Sequence, residues 1–165
     1  MRAAAEKAGL AYGFPGTGMA GDPLPVPEPS HPDLTFERVT TEEQLRAYAD
    51  LNSRAHGFPL DHGRDGLLGS TLWKGRVHAC LGLRDGVPVT CAGTVEADGR
   101  LFVALVATAP EGERRGYGEA VTRKALYEGA RATGPNRATL HATAAGAPVY
   151  PASASGRTRR WASTA

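Results

Sequence analysis

Leu101-Phe-Val-Ala-Leu-Val-Ala-Thr-Ala-Pro110-Glu-Gly-Glu-Arg-Arg-Gly116-Tyr-Gly118-Glu-Ala120 decides how this chain is read. An apolar run rich in β-formers gives way to a turn of glycines and arginines, and the turn opens a helix. That order suits a pyrophosphate. Glycine lets backbone approach a ligand closely, the first N–H groups of a helix point outward, and the helix dipole favours negative charge. A P-loop is excluded, because no Gly-Lys-Ser/Thr follows. A dinucleotide fingerprint fits badly, since no acidic residue ends a following strand at the required distance.

Working outward, Asp85-Gly86 separates Val77–Arg84 from Val87–Glu96, and Asp98-Gly99 separates the latter from Leu101–Thr108. Asp-Gly between β-type runs signals a two-residue hairpin, so residues 77–108 are predicted to form an antiparallel meander. A helix is expected over residues 116–132, stopped by Gly134-Pro135. Residues 138–143 then form a strand, which the preceding strand and helix place parallel to 101–108. Upstream, Leu34–Val39 alternates as a strand. A helix follows, capped by Thr40 or Thr41 with a capping box from Thr40 to Glu43, and it ends at Gly57. A weaker helix is expected over residues 66–73. Residues 10–32 hold six of the twelve prolines and are read as a linker or extended crossing segment, without packing.

One domain is the default for 165 residues, of which 41% are hydrophobic and 22% charged. The net charge of +2 points to neither nucleic acid nor membrane. Arg157, Arg159 and Arg160 supply more than that sum, so the basic character belongs to the tail. No apolar run is long enough to span a bilayer. The first residues lack the apolar stretch of a secretory signal, which favours a cytoplasmic location. His56, Asp61 and His62 lie close in sequence but lack metal-ligand spacing, so no metal site is expected. With a two-residue turn at Asp85-Gly86, Cys80 and Cys91 should face each other within disulfide reach, though in a reducing cytosol two buried thiols are preferred.

Val106-Ala-Thr108-x-Pro110 followed by Arg115-Gly116-Tyr117-Gly118-Glu119-Ala120 resembles the acyl-CoA-binding motif of the GNAT family of N-acetyltransferases. The element order over residues 34–150 is similar as well. The resemblance implies an α/β fold of α+β type: a mixed sheet with an antiparallel meander, a phosphate-binding loop-helix and a parallel strand. It implies acetyl-CoA as cosubstrate and a small-molecule or peptide amine as acceptor. Backbone groups of Val106, Ala107 and Thr108 would hold the pantetheine arm, and Arg114, Arg115, Gly116, Tyr117, Gly118 and Glu119 would hold the pyrophosphate. Glu113 stands where the family carries Arg or Gln, and Thr143 where many members carry Asn. Tyr150 resembles the tyrosine that protonates the departing thiolate, a role a phenol can fill. For the general base Glu96 is the leading candidate, with His141 and His56 behind it.

The resemblance lapses after Tyr150. Residues 151–165 show no periodicity, and the family's last strands are missing. Suitable codons for this stretch, read in another frame, can spell a family-like ending, so a frame change near Tyr150 is one expectation. Strand 138–143 would then be an unpaired edge, which a second copy could cover in a homodimer. Residues 1–33 read as a proline-rich leading segment or a remnant of an upstream lobe. Residues 56–69 read as a loop lining the acceptor side. Two other functions stay open: a CoA-binding remnant or module without turnover, and a nucleic-acid contact through the tail, for which three arginines and one Trp are a thin footprint.

Overall fold

The computed structural model describes residues 16–21, 28–135, 137–143 and 146–147. Three strands form the expected meander: β3 (Val77–Arg84), β4 (Val87–Ala97) and β5 (Arg100–Thr108). Both turns are the tight kind that Asp-Gly favours. Asp85 and Gly86 have φ of +51° and +78°, and Asp98 and Gly99 have +51° and +68°. β2 (Thr35–Arg38) adds antiparallel to β3. β6 (Ala138–Thr143) lies parallel to β5, as the strand–helix–strand order requires.

The sheet does not end at β6. Gly16–Gly21 forms β1 and pairs antiparallel with β6 from Gly16 opposite Thr143 to Gly21 opposite Ala138. This corrects two expectations: residues 10–32 contain a strand paired into the sheet, and the outer edge of β6 is occupied. A homodimer built on that edge loses its rationale. The six strands run in the order β1-β6-β5-β4-β3-β2. Gly16-Thr-Gly-Met-Ala-Gly21 has almost no intrinsic strand character, so its partner decides its conformation.

Helices cover both faces. On one face lies α1 (Glu42–His56), whose Tyr48 and Leu51 pack against Ala79, Leu81, Cys91 and Ala107. Its capping box is one residue further on than expected. Thr41 accepts from the Gln44 backbone, and the Gln44 side chain returns to the Thr41 N–H, because Gln44 rather than Glu43 stands at the third helical position. Gly57 ends the helix at φ +71°. A second helix, α2 (Leu60–Leu68), occupies most of the stretch read as a loop, and the weak helix expected over 66–73 is reduced to a short 3-10 turn at Thr71–Trp73. Pro59 starts α2, and its two internal glycines hide it from propensity. A bidentate bond from Arg64 to Asp50 (2.6 and 2.7 Å) ties α2 to α1 and holds the Asp50 carboxyl below the usual range.

On the other face lies α3 (Tyr117–Thr133). Its Val121 and Ala125 pack on Cys80 and Ala92. The contact is close at Gly129, where a Cβ would sit 2.5 Å from Thr94 Oγ1. The cysteine expectation fails here. A bulge between Gly82 and Leu83 shifts the register, so Cys80 faces Ala92 and Cys91 faces Leu81. The two thiols lie on opposite faces of the sheet, Cys80 under α3 and Cys91 under α1, both free and each pushed up to about 12 by burial. Pattern alone could not place the bulge, since nothing local marks the extra residue.

Candidate active site

β5 changes character at Leu105. As far as Val103 it pairs with β6 on one side and β4 on the other. Beyond Val103, no strand among the described residues pairs with its outer edge. At the same point the register with β4 slips by one, and Leu105 takes φ +53°, an uncommon conformation for leucine. Two side chains one helical turn apart on α1 hold it there. Tyr48 Oη donates to the Leu105 carbonyl at 2.8 Å and Asn52 Nδ2 at 2.9 Å. The carbonyl is drawn toward α1, so the Val106 N–H, on the same peptide plane, points away from it.

Further along, regular alternation resumes. Ala109 N–H donates to Val89 O at 2.8 Å, which sets Ala107 facing β4. The carbonyl of Val106 and both backbone groups of Thr108 then face the open edge. Ala107 is buried under α1. The Thr108 hydroxyl meets that of Thr90 at 2.9 Å.

The turn after β5 begins with a short 3-10 segment at Pro110–Gly112. It winds through Arg114 (φ +59°) and Gly116 (φ +81°) into α3. Ala120 N–H to Gly116 O, at 3.0 Å, is the first helical bond, and no described side chain caps the helix. The N–H groups of Tyr117, Gly118 and Glu119 therefore open onto the turn, the usual provision for an anion. Arg114 and Arg115 are exposed beside them, as is Glu113. Glu119 pairs with Arg123 at 2.8 Å and sits in the first turn, where its charge suits the helix dipole. The turn rests on Tyr117, which is buried. His31 buttresses it from outside. Its Nδ1 accepts from Asp33 N at 3.2 Å, which leaves Nε2 to donate to Arg115 O at 3.2 Å, and its ring meets Tyr117 edge-on at 5.1 Å.

Val106, Ala107, Thr108, Arg114, Arg115, Gly116, Tyr117, Gly118 and Glu119 thus form one continuous ribbon from the broken strand to the helix. The proposed bases are not gathered there. Tyr150 lies outside the described residues, as does the tail. Glu96 pairs with Leu101 and accepts the Gly99 N–H at 2.9 Å. Leu101 is four residues before Leu105, about 13 Å along a strand. His141 is exposed on β6 opposite Gly18, and His56 is exposed at the end of α1 beside Phe58. Thr143 Oγ1 accepts from Gly146 N at 3.1 Å. Among the described residues no group of side chains is arranged to hold a metal, and no helix is long and apolar enough to cross a membrane.

Sequence reasoning missed Tyr48, Asn52 and His31. Tyr48 lies on the buried face of α1 with Leu45 and Leu51, where a tyrosine looks like a packing residue. Asn52, a polar residue four positions on and on the same buried face, was the available signal. Beside Leu105, on the α1 face, an apolar cavity of about 340 Å³ opens between Tyr48, Trp73 and Phe102.

No family model matches the chain, and no curated protein does. Solved structures do. A GCN5-related N-acetyltransferase from Kribbella flavida is similar over 76% of this chain, at 27% identity and a TM-score of 0.59. A GCN5-related N-acetyltransferase from Ralstonia eutropha is similar over 80%, at 22% identity and a TM-score of 0.56. A predicted acetyltransferase with acetyl-CoA from Clostridium acetobutylicum is similar over 80%, at 12% identity and a TM-score of 0.60. The chain spans 47% of the Kribbella protein, 98% of the Ralstonia protein and 96% of the Clostridium protein.

Proposed function

We propose that this chain, which belongs to the GCN5-related N-acetyltransferase family, transfers an acetyl group from acetyl-CoA to an amine by direct attack. The break in β5 at Leu105 carries the reading. It leaves an open edge leading directly into an uncapped helix, with donors and acceptors in the order that a pantetheine arm and a pyrophosphate would need.

In this reading the Val106 and Thr108 backbone groups hold the arm as an added strand would. The amides from Arg114 to Glu119 take the pyrophosphate, and Arg114 and Arg115 offset Glu113. The Val106 N–H, turned by the grip of Tyr48 and Asn52 on the neighbouring carbonyl, polarises the thioester carbonyl. A neutral amine attacks, the tetrahedral intermediate collapses, and Tyr150 gives a proton to the departing thiolate. The same reading names Glu96 as the base, a role that requires release of its bond to Gly99. The contacts the reading needs are all to a soluble small cosubstrate, and the cytoplasm, where acetyl-CoA is at hand, is the compartment it assigns.

The test is release of free CoA thiol from acetyl-CoA by the purified chain with a panel of amines. Turnover that falls about 100-fold in Tyr150→Phe, with unchanged acetyl-CoA affinity, is the expected result. Saturable binding without turnover would instead establish the second reading, a CoA-binding module, which the engagement of Glu96 with the Gly99 N–H favours.

A further inference from the structure

The cavity beside Leu105 has a chemical character that bears on the acceptor. Its walls are almost wholly apolar, and they include three aromatic side chains, Tyr48, Trp73 and Phe102. Trp73 meets Tyr48 edge-on at 5.2 Å. Gly93 lies in the wall, where a Cβ would come within 3.2 Å of Tyr48 Oη, so its lack of a side chain keeps the space open. Three of the large apolar side chains this protein leaves exposed, Leu72, Phe102 and Leu105, gather at this one place at 45%, 42% and 44% exposure. Scattered exposed apolar residues are ordinary, whereas a cluster around a concavity marks a binding surface.

Two features narrow the occupant. Size is the first: about 340 Å³ is at the small end of ligand pockets. It suits a single ring on a short chain, and is too small for a folded peptide segment or an oligosaccharide. Charge is the second, since among the described residues no carboxylate lines the cavity, so an acceptor with several ammonium groups would press unpaired charge against apolar wall. One amine can escape this cost beside the exposed Leu105, where it must in any case lose its proton to become a nucleophile.

We infer that the acceptor is a primary amine carrying one aromatic ring on a short alkyl chain, with the ring in the cavity and the nitrogen presented at Leu105. This rests on the acetyl-transfer reading for the nitrogen, but not for the ring. The aromatic walls would stack edge-on or offset on it, as aromatic pairs prefer.

The experiment uses the full chain with Trp161→Phe, which leaves Trp73 as the sole tryptophan. 2-Phenylethylamine and ethanolamine are each titrated while Trp73 fluorescence is followed, and both are then offered as acceptors with acetyl-CoA. Expected are a saturable Trp73 response to 2-phenylethylamine alone and a kcat/KM about 10- to 100-fold above that for ethanolamine. Phe102→Ala, at an exposed position that does not risk the fold, should cut that ratio several-fold with acetyl-CoA affinity unchanged. Absence of a saturable response, or equal kcat/KM for the two amines, would overturn the inference. Equal turnover would leave acetyl transfer standing. A saturable response to 2-phenylethylamine without its acetylation would overturn its class as acceptor, and the amine panel above then decides the transfer reading separately.

Discussion

β3, β4 and the first half of β5 pair along their lengths, while β5 and β6 pair over three residues, Leu101 to Val103, and then part. The first region is held by local means: Asp-Gly turns, alternating side chains, and helices packed on both faces. The second is held by distant means: a carbonyl gripped from α1, a histidine at position 31 under the anion turn, and a glycine-rich N-terminal strand along β6. The difference separates scaffold from site. A sheet paired throughout offers a ligand no backbone groups; a sheet that stops pairing offers several, provided something else holds the loosened strand.

The largest expected effect attacks the scaffold. Gly129→Val would drive a branched side chain into Thr94 and Leu101 and break the Thr94 bond to the Ala125 carbonyl (3.0 Å). Overpacking of this kind costs about 1–3 kcal/mol or more, beyond any helix-propensity gain. Urea denaturation should show a large fall in midpoint; an unchanged midpoint would mean that α3 does not pack so closely on the sheet.

A double substitution attacks the site more than the scaffold. Tyr48→Phe with Asn52→Leu removes both α1 donors from the Leu105 carbonyl while keeping volume, and leaves it only the Cys91 thiol at 3.8 Å. Stability should fall by about 1–2 kcal/mol, the cost of leaving a part-buried carbonyl with one weak donor. Acetyl transfer should fall further, about 100- to 1,000-fold, or roughly 2.7–4 kcal/mol, which is what loss of one donor to a developing oxyanion costs. Equal loss in both would mean that the grip is only structural.

An intermediate effect comes with pH. His78 is buried on β3, with Nδ1 lacking a partner among the described residues, and burial, assisted by Arg38, lowers its pKa. A depressed folded value means the unfolded chain binds the proton first. Stability from this group is therefore complete above about pH 6.5 and is lost as pH falls toward the folded value. Thermal melts from pH 7.5 to 5 should show a fall in Tm that His78→Leu reduces; identical slopes would remove His78 as the cause.

The smallest effect concerns the anion turn. Glu113→Gln removes a negative charge beside the uncapped amides. Acetyl-CoA affinity should rise about 2- to 5-fold at low salt, and less at high salt, as an exposed charge at a helix start allows. No change at low salt would place Glu113 away from the phosphates.

The comparison also explains what the sequence could disclose. The meander, both hairpin turns, the parallel placement of β6 and the ribbon from Val106 to Glu119 were legible because their signals are local: β-type runs, Asp-Gly, glycines before a helix. The strand at Gly16–Gly21 was not, because glycine carries no strand preference and only β6 fixes it. The slip that separates Cys80 from Cys91 was not, because an extra residue in a strand leaves the pattern on either side intact. The turned peptide at Leu105 depends on two side chains more than fifty residues away, and a leucine gives no hint of positive φ.

Calorimetric titration of the full chain with acetyl-CoA tests the central claim most directly. The account predicts saturable one-to-one binding, weakened at least tenfold by Gly116→Val, since a branched residue at φ +81° would deform the anion turn. No heat of binding from a chain that circular dichroism shows to be folded would contradict it.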